Sequence, residues 1–399
     1  MVVSMDITFL GTSSAQPSTT RNHQSMALRV NGDIWLFDCG EATQHQFQKS
    51  HLKMGRITKI FITHMHGDHC FGLGPLLCSM SDNLNPTSQA TIDDHPPIDI
   101  YGPSRLRKWL RTTLWMTYSN LGKRYRVHEL LHSDINEEEG SEENENIKYH
   151  PQELPGKNIK LSPSAVIDLG DGFKVTATGI QHSIPSLGFI IQEPDVLGNL
   201  NKSKLLPLLE ENALALKNQG IKQPLSLLGK LQKTQQPIQL PNGAWLEPPS
   251  KKPGRQIVIL GDTCDPSSLI PYCQAPHLLV HEATNALTSL DLVPSSKSKS
   301  KSNNQQEKEE EEVLTEEMVE TRAIQHGHST PQMAGAFAKK INARTLILTH
   351  FSSRYKGDDS EEATQVMEEI RQLAIKTFGK EKDNEIYCAK DLWFYNIQL

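Results

Sequence analysis

Six consecutive residues carry the densest group of side chains able to bind a metal ion. They read HMHGDH (64–69) and begin at the end of the apolar segment KIFITH (59–64). Neutral imidazoles and carboxylates suit a borderline divalent cation, of which zinc is the commonest match. A lone histidine would more often be structural, but four ligand-type residues within six positions at a strand end predict a metal site.

Three further ligand-type residues each end an apolar segment elsewhere in the chain: His182, Asp262 and His350. Taken singly, each has a plain structural interpretation as a polar group that closes a buried strand. However, one metal ion would not use all the groups of segment 64–69 comfortably, and ligands in α/β folds bind at the carboxyl ends of strands. The shared placement therefore predicts that these residues complete a site on one rim of a sheet.

The elements that must position these groups alternate along the chain. Short apolar runs predict buried strands, and amphipathic runs between them predict helices. The predicted strands cover 33–40, 59–64, 173–182, 255–262, 277–283 and 344–350. The predicted helices cover 41–54, 104–118, 331–341 and 361–377. This alternation indicates a layered α/β fold.

Composition excludes several classes of protein. The chain has 399 residues and a formal net charge of −6. Its apolar runs are far shorter than the ~20 residues that a membrane helix needs. The six cysteines show no CxxC pair, which suits reduced thiols. The segment MVVSMDITFLGTS (1–13) predicts a strand and a glycine turn rather than a targeting peptide. An intracellular location, in the cytoplasm, the nucleus or both, is therefore expected.

Seven short motifs resemble those of short-form tRNase Z, a family of the metallo-β-lactamase superfamily. They are FLGTSSAQPSTTRN (9–22), WLFDCGEATQ (35–44), ITKIFITHMHGDHCFGLGPLL (57–77), LGDT (260–263), HEAT (281–284), GHST (327–330) and LTHFSSRY (348–355). The resemblance covers both ends and the middle of the chain. It is specific, because the HEAT and HST segments are not general to metallohydrolases.

The resemblance implies an αβ/βα four-layer metallo-β-lactamase sandwich with an inserted arm that binds tRNA. The implied activity is zinc-dependent endonucleolytic removal of the 3′ trailer from precursor tRNA. The cut falls just after the discriminator nucleotide and leaves a 3′ hydroxyl for CCA addition. The resemblance also implies a homodimer, in which the arm of one subunit grips the tRNA that the other subunit cleaves.

The resemblance further implies two zinc ions per subunit, held by seven ligands. One ion would be bound by His64, His66 and His182, and the second by Asp68, His69 and His350, with Asp262 bridging both.

Proton transfer is expected from two side chains, and a third side chain supports one of them. Asp68 would orient the attacking hydroxide as general base, and His328 would protonate the leaving oxygen, steadied by Glu282. His328 also has a structural interpretation, because the segment STP (329–331) predicts a helix cap and first turn. The two interpretations are compatible, since a helix start favours a nearby phosphate. Asp38 is interpreted either as a partner that fixes a ligand histidine or as a simple turn former.

The predicted domain organisation follows from where composition changes. A catalytic domain is predicted over 1–193 and 254–399, interrupted by a flexible arm at 194–253, which serves as the tRNA exosite. The acidic segment 134–146 and the Ser/Lys/Glu-rich segment 294–312 predict disordered insertions.

Two motifs depart from the family pattern. The arm keeps Gly220 and the tripeptide GKL (229–231) but lacks the central Gly-Pro of the family's exosite motif. In the PxKxRN loop, Thr19 replaces the lysine, so discrimination against CCA-bearing tRNA is not implied. These differences concern how tRNA is gripped and leave the predicted metal centre intact.

The acidic balance of the chain comes from two segments. Residues 137–145 and 307–320 carry −6 and −7, so the rest of the chain carries +7. The arm segment 194–252 has eight lysines against four acidic residues. A basic surface is what phosphate binding requires, so the net charge does not argue against RNA.

Two other functions remain open at this stage. A metallo-β-lactamase-fold hydrolase of small thioesters, lactones or β-lactams would use the same HxHxDH segment. The arm and the HEAT and HST segments favour an RNA substrate, because a small ester does not need a long arm to bind it. A non-catalytic scaffold on an inactive hydrolase fold is disfavoured, because all seven expected ligands and both proton-transfer candidates are present.

Overall fold

A computed structural model describes residues 3–80, 95–132, 148–273, 275–291, 314–379, 381 and 385–399. The insertions predicted at 134–146 and 294–312 lie outside these residues. The described chain forms two compact units. One unit comprises Val3–Gln192 and Gln256–Leu399, and the other comprises Glu193–Arg255. The division into catalytic domain and exosite arm remains a prediction about what each unit does.

The strands of the described chain are as follows: β1 (Met5–Gly11), β2 (Ser13–Ser14), β3 (Ser25–Val30), β4 (Asp33–Phe37), β5 (Ile57–Phe61), β6 (Ile98–Pro103), β7 (Tyr125–His132), β8 (Glu153–Leu154), β9 (Asn158–Leu161), β10 (Ser164–Gly170), β11 (Phe173–Ile180), β12 (Ser186–Gln192), β13 (Val196–Leu197), β14 (Ile238–Gln239), β15 (Trp245–Leu246), β16 (Lys251–Lys252), β17 (Gln256–Leu260), β18 (Leu278–Glu282), β19 (Leu346–Thr349), β20 (Phe351–Ser352), β21 (Ile386–Cys388) and β22 (Phe394–Asn396). All six strands predicted from the sequence are present.

The helices of the described chain are as follows: α1 (Thr43–Lys49), α2 (Gly67–Cys70), α3 (Leu73–Ser79), α4 (Leu106–Met116), α5 (Lys202–Glu211), α6 (Ala213–Asn218), α7 (Ser226–Thr234), α8 (Glu316–Gln325), α9 (Pro331–Lys340) and α10 (Glu361–Phe378). The four predicted helices are confirmed, but α1 is shorter than the predicted range 41–54. It ends where Ser50 adopts an extended conformation and its backbone N–H donates to Gln46 and Phe47. Helices α2, α3, α7 and α8 were not predicted.

Two large sheets form the centre of the larger unit. Within the described residues, one sheet has nine strands, in the order β22-β1-β3-β4-β5-β6-β7-β8 with β9 also paired to β7. The other has seven strands, in the order β10-β11-β12-β17-β18-β19-β21. Apolar side chains from both sheets share one buried cluster, so the sheets pack face to face.

The alternation of side chains along each strand produces the outer layers. In β17, Ile257 and Ile259 point into the core between the sheets, whereas Val258 and Leu260 pack on the opposite face with α9 and α10. The first sheet is covered likewise by α1, α3 and α4. The order is therefore helix, sheet, sheet, helix, which confirms the four-layer αβ/βα sandwich.

Parallel pairing brings the carboxyl ends of several strands to one rim. In the second sheet β17, β18 and β19 run parallel, and in the first sheet β4, β5 and β6 do so. Because these strands end at the same edge, the residues that directly follow them lie close together. This rim is the predicted position of the metal ligands.

The smaller unit, Glu193–Arg255, has an apolar core of its own. Leucines from α5, α6 and α7 pack together with Leu240 and Leu246. Leucines at helical spacing over 205–216 mark this segment in the sequence, and the structure shows a folded element there rather than a bare linker. Separately, the described part of the chain contains no helix long and apolar enough to cross a membrane.

Candidate metal centre

The HMHGDH segment leaves the first sheet at the end of β5 and turns into the short helix α2. Its backbone is irregular up to His66, and α2 begins at Gly67. This geometry brings Asp68 and His69 back toward the histidines that precede them. His182 follows β11, while Asp262 and His350 follow β17 and β19. The structure thus brings all seven predicted ligands together on one rim.

The first group of ligand atoms comes from His64, His66, His182 and Asp262. The Nδ1 atom of His66 lies 3.1 Å from Nε2 of His64 and 3.3 Å from Nε2 of His182. Candidate ligand atoms from these four residues lie within 4.8 Å of one another.

The second group comes from Asp68, His69 and His350. The Nε2 atoms of His69 and His350 are 3.1 Å apart. The Oδ2 atom of Asp68 lies 3.4 Å from Nε2 of His350 and 3.6 Å from Nε2 of His69. The backbone N–H of Ala15 donates to the same Oδ2 at 2.7 Å, which holds the carboxylate in place.

Asp262 faces both groups. Its Oδ2 lies 3.6 Å from Nε2 of His64 and 3.3 Å from Nε2 of His350, and its Oδ1 lies 3.4 Å from Nε2 of His69. This carboxylate is buried, so it is shielded from water, and it lies near both ligand groups. The arrangement fits the bridging position that the family resemblance implies.

Hydrogen bonds outside the centre fix which ring nitrogens face it. Nδ1 of His182 donates to the carbonyl of Gly327 at 2.7 Å, which leaves the lone pair of Nε2 toward the centre. Nδ1 of His350 lies 3.0 Å from the hydroxyl of Thr284, which itself donates to the carboxylate of Glu282 at 2.5 Å. That hydroxyl therefore accepts from His350, and Nε2 again keeps its lone pair.

Asp38 fixes two further histidines. Its Oδ2 accepts from Nδ1 of His69 at 2.7 Å and from the hydroxyl of Thr63 at 2.9 Å. The Thr63 hydroxyl lies 3.0 Å from Nδ1 of His64 and accepts from it. Of the two interpretations left open by the sequence, the structure supports the partner that orients ligand histidines.

The electrostatics of the centre favour three neutral imidazoles beside ionised carboxylates. Burial lowers the pKa of His64, His66 and His182, so these rings stay neutral at neutral pH. Burial alone would raise the pKa of Asp262, but the surrounding histidines hold it well below its usual range. Lone pairs that face one another cannot hydrogen-bond together, so this donor set fits divalent cations and zinc in particular.

His328 and Glu282 form a pair beside the ligands. Nδ1 of His328 lies 3.1 Å from Oε1 of Glu282 and 3.8 Å from Oδ2 of Asp262. The Glu282 carboxylate also accepts from the backbone N–H of Thr263 at 2.7 Å. Burial alone would lower the pKa of His328, but the Glu282 carboxylate outweighs it and raises the pKa to about 9.

The helix interpretation of the residues after His328 is also confirmed. Thr330 is the N-cap of α9, and its hydroxyl accepts from the backbone N–H of Met333. Pro331 occupies the first turn. His328 is therefore both a residue at a helix start and a member of the candidate site.

Several contributors to the site were not predicted from the sequence, and two of them show why. The backbone N–H of Ala15, a residue in the left-handed region with a φ of 55°, contacts Asp68, and no side-chain pattern signals such a contact. Thr284 is the last residue of the HEAT segment, and its hydroxyl links Glu282 to His350. The sequence signal for Thr284 is its position as a short polar residue within a motif.

A cleft of about 710 Å³ opens beside the ligands. His66 and His328 line it, together with Ser183, Arg322 and Arg354. His328 is thus accessible to a substrate larger than a few atoms, whereas Glu282, His64, His69 and His350 are buried.

Comparisons with known proteins identify relatives of this chain. The matching family model is described as the anti-Pycsar protein Apyc1 and matches residues 5–136. Zinc phosphodiesterase ELAC protein 1 of Bos taurus is 40% identical over 367 residues, which cover 89% of this chain and 88% of that protein. Ribonuclease Z of Microcystis aeruginosa is 33% identical over 379 residues, which cover 94% of this chain and 93% of that protein.

A solved structure is similar over the whole length. The crystal structure of the short form of human tRNase Z, ELAC1, has a TM-score of 0.58 and 31% sequence identity. The match covers 99% of this chain and 100% of that chain. The likeness therefore extends through both sheets and both helical layers.

Proposed function

The chain belongs to the ribonuclease Z family, and from this premise we propose that it is a zinc-dependent endoribonuclease that removes the 3′ trailer from precursor tRNA. The cut falls after the discriminator nucleotide and leaves a 3′ hydroxyl for CCA addition. The observation that carries the proposal is the convergence of seven ligand-type residues beside the His328–Glu282 pair at an open cleft.

Two zinc ions per subunit are part of this proposal. His64, His66 and His182 would hold one ion, and Asp68, His69 and His350 the other, with Asp262 between them. Bound zinc supplies Lewis-acid stabilisation of phosphate oxygens and makes hydroxide available at neutral pH. The protein fixes the direction of the lone pairs of four of these histidines through the hydrogen bonds of Asp38, Thr63, Thr284 and Gly327.

Asp68 acts as ligand and general base in this scheme. Its Oδ2 is held by the N–H of Ala15, and its pKa is kept low by His350 and His69 despite burial. The carboxylate is therefore ionised at neutral pH. It can accept a hydrogen bond from the attacking nucleophile and orient it toward the phosphorus.

His328 supplies the proton that the leaving 3′ oxygen needs. Its Nδ1–H donates to Glu282, so Nε2 is the nitrogen available to the substrate. Because Glu282 raises the pKa of His328 to about 9, the ring is protonated at neutral pH and able to act as an acid. Glu282 is held by Thr263 and Thr284 and so fixes the direction of the ring.

Replacing His328 with alanine should lower the cleavage rate of precursor tRNA by about 10²- to 10⁴-fold, the usual contribution of a general acid. The loss should be much smaller for bis(p-nitrophenyl) phosphate, because p-nitrophenolate leaves without a proton. Single-turnover rates on both substrates measure the difference. His51→Ala, which removes an exposed histidine packed on Phe394, is the matched control. Equal losses on the two substrates would contradict the acid role.

The tRNA partner and the homodimer also belong to the proposal. The unit Glu193–Arg255 contains eight lysines against five acidic residues and is proposed to bind tRNA as the exosite arm. Its lysines suit a phosphate backbone rather than a small neutral ester. In the homodimer, the arm of one subunit binds the tRNA that the other subunit cleaves. This substrate places the protein inside the cell, in the cytoplasm, the nucleus or both.

Deleting residues 200–245 should weaken precursor tRNA binding by about 10²-fold or more, because several phosphate contacts are lost together. Turnover of bis(p-nitrophenyl) phosphate should fall far less. Filter binding and steady-state kinetics give the two values. A variant with Lys339 and Lys340 of α9 changed to alanine tests whether any loss of surface charge has the same effect. Parallel losses on both substrates after the deletion would argue against an exosite.

The direct test of the proposed function is incubation with a 3′-extended tRNA and mapping of the cut. A single cut after the discriminator nucleotide, with a 3′ hydroxyl on the product, is expected. Hydrolysis of a thioester or lactone without cleavage of the tRNA would instead assign the same centre to a small-molecule hydrolase.

A further inference from the structure

One wall of the cleft carries two side chains that the proposed chemistry does not use. Arg322 lies in α8, and His326 follows directly after that helix, four residues further on. Both are exposed, and both line the cleft that His66 and His328 also line. Residues four apart at a helix end lie on the same face, so the two groups are neighbours.

We propose that Arg322, with His326 beside it, forms a subsite for a second phosphate of the RNA strand, adjacent to the scissile phosphate. This subsite rests on the proposed function, since it needs a substrate with more than one phosphodiester. Arg322 is then a positioning residue that fixes the register of the strand. It does not touch the reacting atoms.

The other cationic side chains of the cleft are already engaged. The Arg354 guanidinium donates to both oxygens of Asp291, at 2.5 and 3.4 Å, and to the carbonyl of Ala286 at 2.8 Å. His328 is paired with Glu282, and His66 belongs to the first ligand group.

By contrast, Arg322 has no side-chain ion pair or hydrogen bond within the part of the chain that the structure describes. A free guanidinium in a cleft for a polyanion is matched in charge and geometry to a phosphate, which it binds through two parallel N–H donors.

The helix that presents Arg322 is firmly attached to the catalytic rim. Its own residues Val319 and Ala323 are buried, and the carbonyl of Ala323 accepts from the backbone N–H of His328 at 2.8 Å. Glu316 at its start pairs with Lys376 of α10 at 2.8 Å. The spacing between Arg322 and His328 is therefore set by the backbone, as a device for positioning successive phosphates requires.

The test compares Arg322→Ala with Arg322→Lys on two substrates. On 3′-extended tRNA, Arg322→Ala should lower kcat/KM by about 10- to 100-fold and reduce the slope of log binding constant against log salt by about 1. Arg322→Lys keeps the charge and should recover part of the loss. On bis(p-nitrophenyl) phosphate, which has no second phosphate, the loss should be at least about tenfold smaller.

Arg344→Ala is the matched control, because Arg344 is an exposed arginine that precedes β19, at the end of that strand away from His350. It should leave both activities and the salt slope unchanged. If wild-type protein cleaves the tRNA and Arg322→Ala matches it, or loses both activities equally, the subsite is wrong and the proposed function stands. If wild-type protein cleaves the diester and no tRNA, both proposals fall.

Discussion

Replacing Asp68 with alanine is expected to lower the single-turnover rate of precursor tRNA cleavage by at least about 10³-fold, since a ligand and a general base are lost at once. The carboxylate lies 3.4 Å from Nε2 of His350 and 3.6 Å from Nε2 of His69, and its position is fixed by the N–H of Ala15. Affinity for tRNA should change by less than about threefold, because phosphate contacts elsewhere position the RNA. Rapid-quench kinetics and fluorescence anisotropy measure the two quantities.

Two further variants make this result interpretable. Asp68→Asn keeps the shape of the side chain and removes its charge. A comparable loss of cleavage rate would therefore show that the lost charge, rather than altered packing, is responsible. Asp359→Ala removes an exposed carboxylate paired with Lys390 and should have no effect on either quantity. Persistent cleavage by Asp68→Ala would show that another group orients the nucleophile. A parallel loss of tRNA affinity would place Asp68 in substrate binding instead.

Removing metal is expected to abolish the activity of the enzyme completely. Dialysis against a chelator should abolish cleavage of tRNA and of bis(p-nitrophenyl) phosphate alike, because both reactions use one centre. Adding zinc or another suitable divalent ion should restore both activities. Metal analysis of the protein as purified should give about two zinc ions per subunit if both ligand groups are occupied. Turnover that survives chelation would overturn the mechanism.

The same experiment gives a pH dependence with a defined sign. Ligand histidines must be neutral to bind metal, so protonation competes with loading. His69 lies between Asp262 and Asp38, which raise its pKa well above the ordinary value despite burial, so the metal must displace a proton from it. Apparent zinc affinity should therefore fall as pH is lowered. Titration of the metal-free protein with zinc at several pH values would show this, and affinity that rose toward low pH would contradict it.

Much of the fold followed from local sequence patterns. The run IVIL in β17 is apolar at every position because both faces of that strand are buried, one against the other sheet and one against helices. The predicted ranges extend one to three residues past the observed strand ends, since they include residues that follow each apolar run. By contrast, α8 was not predicted, because it is polar over most of its surface and buries only Val319 and Ala323.

The sequence by itself determined which residue types meet at the rim. Seven ligand-type side chains at or after strand ends, with the HEAT and HST segments, were enough to predict a metal centre and its family. The prediction succeeds because parallel strands end at the same edge of a sheet, so the residues that follow them lie at one rim. Such information is local, and each piece lies within a few residues.

Only the tertiary structure decided how these groups are oriented and which remain free. Asp38 reaches His69, 31 residues away, and the N–H of Ala15 reaches Asp68, 53 residues away. Backbone donors leave no mark in the sequence, and a contact across such separations depends on how whole layers pack. Arg322 and Arg354 both line the cleft, and the sequence shows a partner for neither. The difference between a guanidinium bound to Asp291 and one open to the cleft arises only when the folded chain supplies or withholds a partner.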